Sequence, residues 1–183
     1  MSFTSIRFKQ PRGNNQPSAR RALAQLSGSV NQAASEILDA AGSQVFSIVY
    51  MTSNTSFSTG VFTAIAYDAE IRDTNSWHDN ATNNTRVTVS SDGIYEVVGM
   101  VTWSNGTTST PCYYKLLVNG SETIRWEFPT NGASSRAGHS FTGYADLATG
   151  DYIEISAPHG ESGPLNMIGG SGKTWLLVRY LGA

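Results

Sequence analysis

Residues 67–103 read YDAEIRDTNSWHDNATNNTRVTVSSDGIYEVVGMVTW. Two strand-like runs stand out, Arg86 to Val89 and Ile94 to Trp103, and a period of two is the mark of a strand lying against a core. Ser90-Ser91-Asp92-Gly93 between them carries turn chemistry, so the two runs are expected to pair. Ahead of them lies an irregular polar loop with Trp77, His78, Asp79 and Asn80. In the longer run Tyr95, Val97, Val101 and Trp103 point one way, and Ile94, Val98 and Met100 the other. An ordinary sandwich strand has one solvated face, so the second apolar face needs a cover, and a neighbouring subunit is the simplest one.

The same period continues outward. Residues 45–50, 61–67, 112–118, 122–128, 136–147, 152–157 and 173–181 read as further strands, with 52–60 rich in turn residues. Asn119-Gly120 is a tight-hairpin signal, and Thr149-Gly150-Asp151 is expected to turn another pair. The last strand is again apolar on both sides, with Trp175, Leu177 and Leu181 opposing Leu176, Val178 and Tyr180. Eight or nine short strands in this rhythm predict an all-β antiparallel sandwich.

The first 42 residues differ. Residues 1–17 have no period and are punctuated by Pro11, Gly13 and Pro17; they are expected to be an extended anchor peptide that docks along a partner surface. In residues 18–42, Ser18 suits an N-cap and Gly42 a C-terminal stop. Leu23, Leu26, Val30, Ala33, Ile37 and Ala40 fall at spacings of three and four, which is the seam of a short coiled coil. Three such heptads with two alanines and Gly28 are marginal alone, so this helical stalk needs a head that already holds the chains together. Residues 43–183 are the expected head domain.

Composition narrows the classes. Charged residues are 14% of 183, and the formal net charge is −2 with the basic residues scattered, which gives no electrostatic reason to expect nucleic acid. Cys112 is the single cysteine, so an intrachain disulfide is ruled out and a half-buried thiol is expected. Met1-Ser2-Phe3-Thr4 does not read as a signal peptide, and no apolar run approaches the ~20 residues of a membrane helix. The sequons at Asn54, Asn80, Asn83, Asn105 and Asn119 are read as a product of Asn/Thr-rich loops.

Several constellations invite chemistry. Gly172-Lys173-Thr174 matches the end of a phosphate-binding loop, but position 167 holds Met167 where glycine is needed, and Trp175 onward alternates like a strand. Trp77-His78-Asp79-Asn80 puts an imidazole, a carboxylate and an amide in one loop, yet no nucleophile-elbow pattern accompanies them. The expectation is that Trp77 plugs the sandwich edge while His78 and Asp79 satisfy loop amides, with no catalytic residue. No cofactor is expected either; a bound calcium ion would have Asp68, Glu70, Asp73 and Asp79 as its oxygen donors, without a calcium-loop spacing. His139 reads as a satisfied core or interface histidine. His159 reads as a loop residue that, with Trp126 and the Trp77–Asn80 loop, forms a possible surface for host glycans.

The run from Phe46, Phe62 to Asp73, Trp77 to Asn80, Arg86 to Val89, Gly93-Ile94-Tyr95 and Trp103 resembles the bacterial and phage branch of C1q-like heads. So do Leu117-Val118-Asn119-Gly120, Leu147 followed by Gly150-Asp151-Tyr152-Ile153, and Trp175 to Leu181. The resemblance covers roughly residues 44–183, and its motifs are short. It implies a jelly roll of the complement and tumour-necrosis-factor type that forms tight trimers, with the helix of residues 18–42 in place of the animal members' collagen stalk. It further implies a non-catalytic virion structural protein, made in the host cytoplasm and displayed on the virion surface. As a head fibre or cement-like decoration it would dock on the major capsid protein or another virion protein through residues 1–17. A tail-fibre-type adhesin is the alternative. Ile94, Val98, Met100, Leu176, Val178 and Tyr180 are the expected trimer or core positions of the two apolar strands.

Overall fold

The computed structural model describes residues 25–32, 44–104, 112–128, 136–159 and 163–183. Residues 25–32 are helical, and Leu26 and Val30, four apart on that helix, are 67% and 61% exposed. Leu23, Ala33, Ile37 and Ala40 of the predicted seam, like the anchor peptide of residues 1–17, lie outside the described residues.

The unit Gln44–Ala183 is an antiparallel β sandwich. Its strands are β1 (Phe46–Tyr50), β2 (Thr55–Phe57), β3 (Thr63–Ala64), β4 (Ala69–Asp73), β5 (Val87–Thr88), β6 (Gly93–Trp103), β7 (Cys112–Val118), β8 (Ser121–Phe128), β9 (Ala137–Leu147), β10 (Tyr152–Ala157), β11 (Leu165–Met167) and β12 (Trp175–Gly182). In one sheet β6 runs between β9 on one side and β12 on the other, and β1 and then β4 continue beyond β12. The short β11 takes over beside β6 at Trp103, and β2 pairs with β11. In the second sheet β10 lies between β7 and the short β3 and β5, and β8 forms the far edge.

The alternation read in the sequence places the core. Tyr95, Val97, Val101 and Trp103 of β6, Leu176 and Val178 of β12, and Ile153 and Ile155 of β10 are all buried between the sheets. Trp103 meets Phe57 edge-on at 5.5 Å, and Trp77 meets Tyr95 at 5.4 Å. Aromatic pairs in this geometry add to the burial itself.

Three expectations need correction. The runs before and after Ser90–Gly93 do not form a hairpin, because β5 pairs with β10 in the other sheet. Val89 instead exchanges backbone bonds with Asp151 and Gly150, so this turn carries the chain from one sheet to the other. The Thr149–Asp151 turn likewise joins strands of different sheets, and Thr149 there donates twice to the Asp92 carboxylate, which sits below the usual carboxylate range as a result. The rhythm also missed β2, β4 and β11, which are three to five residues long and lie in segments dominated by polar and turn residues.

The Asn119-Gly120 turn does close a hairpin, between β7 and β8. Both residues have positive φ, 50° and 79°, the handedness that matches the twist of the paired strands. Gly169 to Lys173 form a turn into β12 and not the start of a helix, so the Gly-Lys-Thr triplet has no phosphate cradle behind it.

Candidate functional site

The loop between β4 and β5 makes a concavity of about 260 Å³, lined by Ser76, Trp77, His78, Asp79, Asn83 and Arg86 among others. Positive φ at Ser76 (54°) and Asn83 (55°) shapes the loop on either side of the histidine. Trp77 is buried, packs on Tyr95, and donates its indole N–H to Ser90 Oγ at 2.9 Å. It is the plug the sequence suggested.

His78 is 8% exposed and holds the loop to the sandwich. Its Nδ1 lies 2.7 Å from the carbonyl oxygen of Arg86, and its Nε2 lies 2.9 Å from that of Tyr67. A carbonyl only accepts, so a ring N–H is the donor in this bonding. The partners are thus carbonyls and not the loop amides anticipated. Its own backbone N–H donates to Asp73 Oδ2 at 2.9 Å. Replacing His78 by phenylalanine, which keeps the ring and removes both contacts, is expected to destabilise the head by about 1–3 kcal/mol, because two carbonyls are left facing an apolar ring. Urea titration with amide exchange across residues 74–86 checks this, and unchanged exchange there would mean that the ring does not hold the loop.

Asp79 accepts from the backbone N–H of Thr82 and of Ala81, at 3.0 and 2.8 Å, and the Thr82 amide first and the Ala81 amide second hold its carboxyl below the usual range. This is the local turn that aspartate builds with the chain ahead of it. Arg86 pairs with Glu154 at 3.3 Å and lies 4.0 Å over the Tyr152 ring, while Thr85 donates to the same Glu154 oxygen. This Thr85–Arg86–Glu154 cluster joins two segments 68 or more residues apart, and no local spacing announced it.

The chemical capacity of the loop follows from those bonds. His78 has both nitrogens engaged with carbonyls, leaving neither free to take a proton from a nucleophile in this geometry. Three of the acidic side chains are also committed: Asp68 accepts from the Thr52 amide and hydroxyl, Asp73 from the His78 and Asn75 amides, and Asp79 from the Ala81 and Thr82 amides. Among the described residues no three His, Cys, Asp or Glu side chains converge as a metal site.

The other proposed glycan-contact residues lie apart from this loop. Trp126 is half-buried, stacked on Phe141 at 4.7 Å, and donates to the Thr142 carbonyl at 3.0 Å, so it closes the gap between β8 and β9. Gly143 sits beneath it, where a Cβ would fall 2.9 Å from the indole. His159 is 1% exposed, edge-on to Trp103 and bonded to the Phe57 carbonyl at 2.7 Å; it is a core residue, not the loop residue expected. Of the six suggested residues, Asp79 and Asn80 alone are fully on the surface.

A second candidate site is the outer face of the β6 sheet. Ile94, Val98 and Met100 lie there, whereas Leu176 and Val178 are in the core and Tyr180 leans on Tyr95 from the core side. The outward residues of β12 are Trp175, Leu177 and Leu181. Ile48, Leu177 and Val98 form one rung across three strands, and Tyr50, Trp175 and Met100 form the next. Arg179 and Glu96 face one another on a third rung, bonded at 2.5 Å. Ile94 is 40% exposed, Leu181 49%, and Tyr144 across from Glu96 57%.

No family model matches this sequence, and no curated protein does. Among solved structures, the chain is similar to murine APRIL at pH 5.0, with 14% identity, 74% of this chain and 99% of that one covered, and a TM-score of 0.53. It is similar to the globular domain of zebrafish complement 1qA, with 14% identity, 75% and 96% covered, and a TM-score of 0.54. A third is the Eiger TNF from S. frugiperda, with 11% identity, 76% and 93% covered, and a TM-score of 0.51. At these identities the likeness establishes the fold alone: the head is a C1q/TNF-like jelly roll.

Proposed function

We propose that this chain is a non-catalytic virion structural protein that assembles as a homotrimer, with the jelly roll as its outward head and residues 1–17 as its dock. The observation that carries the assembly is the outer face of the β6 sheet. There Ile48, Leu177 and Val98 sit side by side with Trp175 and Met100, on the side of the sheet away from the core. An apolar sheet face of this kind is a surface for a partner. Because the apolar residues belong to the strands themselves, a second copy of the same sheet is the partner that matches them. Leu26 and Val30 fit the same scheme, exposed at a four-residue spacing on a helix.

The loop of His78 supports a binding role less well, since its polar atoms are used within the head. Capsid decoration, with residues 1–17 on the major capsid protein or another virion protein, is supported by the order of segments and the resemblance to phage heads. The test separates the two halves of the reading. Sedimentation of the full chain at micromolar concentration is expected to give a trimer, and a monomer would end the assembly reading. Removal of residues 1–17 is expected to leave the same trimer but abolish its attachment to purified particles. Full attachment without them would end the docking reading.

A further inference from the structure

The buried members of the β4–β5 loop are engaged within the head, but the groups on the rim of its concavity are not. Ser76, Thr82, Asn83 and Thr88 line that space, all exposed, and their side chains make no hydrogen bond among the described residues. Asp79 takes both of its turn amides on Oδ1, which leaves Oδ2 unused there. Arg86, on the same wall, is fixed from two sides. Its Nε donates to Glu154 at 3.3 Å and its guanidinium lies 4.0 Å over the Tyr152 ring, so the terminal amino groups remain open.

The frame around these groups is set before any ligand arrives. Trp77 is bonded to Ser90, and His78 to the carbonyls of Tyr67 and Arg86. Ser76 and Asn83 hold left-handed backbone on either side of them. For serine that conformation is uncommon, and it persists where the surroundings over-determine it. Binding to such a frame has little ordering of the protein to offset.

We propose that this concavity is a binding site for one neutral hexopyranose ring, free or at the end of a glycan. Hydroxyls and an amide both donate and accept, a carboxylate oxygen accepts and a guanidinium donates, which is the mixture that adjacent sugar hydroxyls call for. Charge argues against a phosphate or an acidic sugar, because the one guanidinium is accompanied by two carboxylates, Asp79 and Glu154. Size argues for a single ring: about 260 Å³ lies below the roughly 300–1,000 Å³ of sites for drug-sized ligands. Trp77 is 3% exposed and gives the sugar no face to stack on, so the affinity is millimolar. The site belongs to the loop and β5 and not to the assembly face, so either proposal can fail without the other.

Titration of the full chain at neutral pH, followed by its amide resonances, tests the site. The probes are the methyl glycosides of mannose, glucose and galactose, taken to tens of millimolar, with the methyl glycoside of glucuronic acid as the acidic comparison. At least one neutral glycoside is expected to give saturable shifts within residues 76–88, and the glucuronide to give none. Asn83→Gly tolerates the positive φ and removes the amide, and it is expected to weaken binding about tenfold. Thr88→Val, which removes a hydroxyl from an exposed strand position, is a second variant with the same direction of effect. Thr123→Ala, exposed on β8, is expected to bind as the wild type does. Absence of saturable shifts with all three neutral probes would overturn the proposal, as would equal binding of the glucuronide or wild-type affinity in both folded variants. A trisaccharide ending in the ring that binds separates the sources. Tighter binding of the trisaccharide assigns the site to a glycan end, and equal affinity assigns it to the free sugar.

Discussion

Leu177→Asp is expected to turn the trimer into monomers while leaving the head folded. Leu177 lies at the middle of the Ile48–Leu177–Val98 rung, half-buried in a single chain and directed away from the core. In an assembly that covers this face, the new carboxylate is enclosed without a partner, which costs several kcal/mol at each copy. Since each ~1.4 kcal/mol is a tenfold change in association, that is enough to dissociate the oligomer at micromolar concentration. The neighbouring Arg179 is already paired with Glu96. Thr123→Asp, on an exposed position of β8, is the matched control and is expected to stay trimeric. Sedimentation velocity with far-UV circular dichroism gives both readings. A Leu177→Asp protein that remains a trimer would place the contact elsewhere on the head.

How much of this was legible beforehand depends on the range of the interaction concerned. The two faces of β6 could be read from residues 94–103, because a strand's period of two is fixed by its backbone. The Asn119-Gly120 hairpin was readable for the same reason: its handedness is local. Residues 86–103 looked like a second hairpin, and here the reading failed. Turn residues at 90–93 say that the chain bends, but the partner of Val87 is Ile153, 66 residues away. The same distance hid the roles of single side chains. His159 looks like a loop residue from Pro158-His159-Gly160, and its burial rests on Trp103 and the Phe57 carbonyl, both remote. Trp126 offered itself as a stacking surface, yet a glycine at 143 lets the indole settle onto the edge of the sandwich. In the His78 loop the residue types were visible and their use was not. Two carbonyls from Tyr67 and Arg86 take up the imidazole, and no spacing in the sequence marks a carbonyl as an acceptor.

Trp103→Ala tests whether the two sheets depend on the same aromatic centre. Trp103 is fully buried at the end of β6, edge-on to Phe57 and to His159, with its N–H on Tyr114. Truncation to alanine is expected to cost about 3–5 kcal/mol, from lost burial and the cavity left behind. A domain is stable by about 5–15 kcal/mol in total, so the variant should fold weakly or only in the assembled state. Trp103→Phe separates the contributions, since most of the apolar contact remains while Tyr114 loses a donor. Its cost should be nearer the ~1 kcal/mol of one hydrogen bond plus a modest packing defect. Both must be compared by urea unfolding at one protein concentration, because association adds to apparent stability by mass action. Near-wild-type stability for Trp103→Ala would mean that Phe57 and His159 collapse into the space. The joint between the sheets would then rest on the strand pairing around it, and not on this ring.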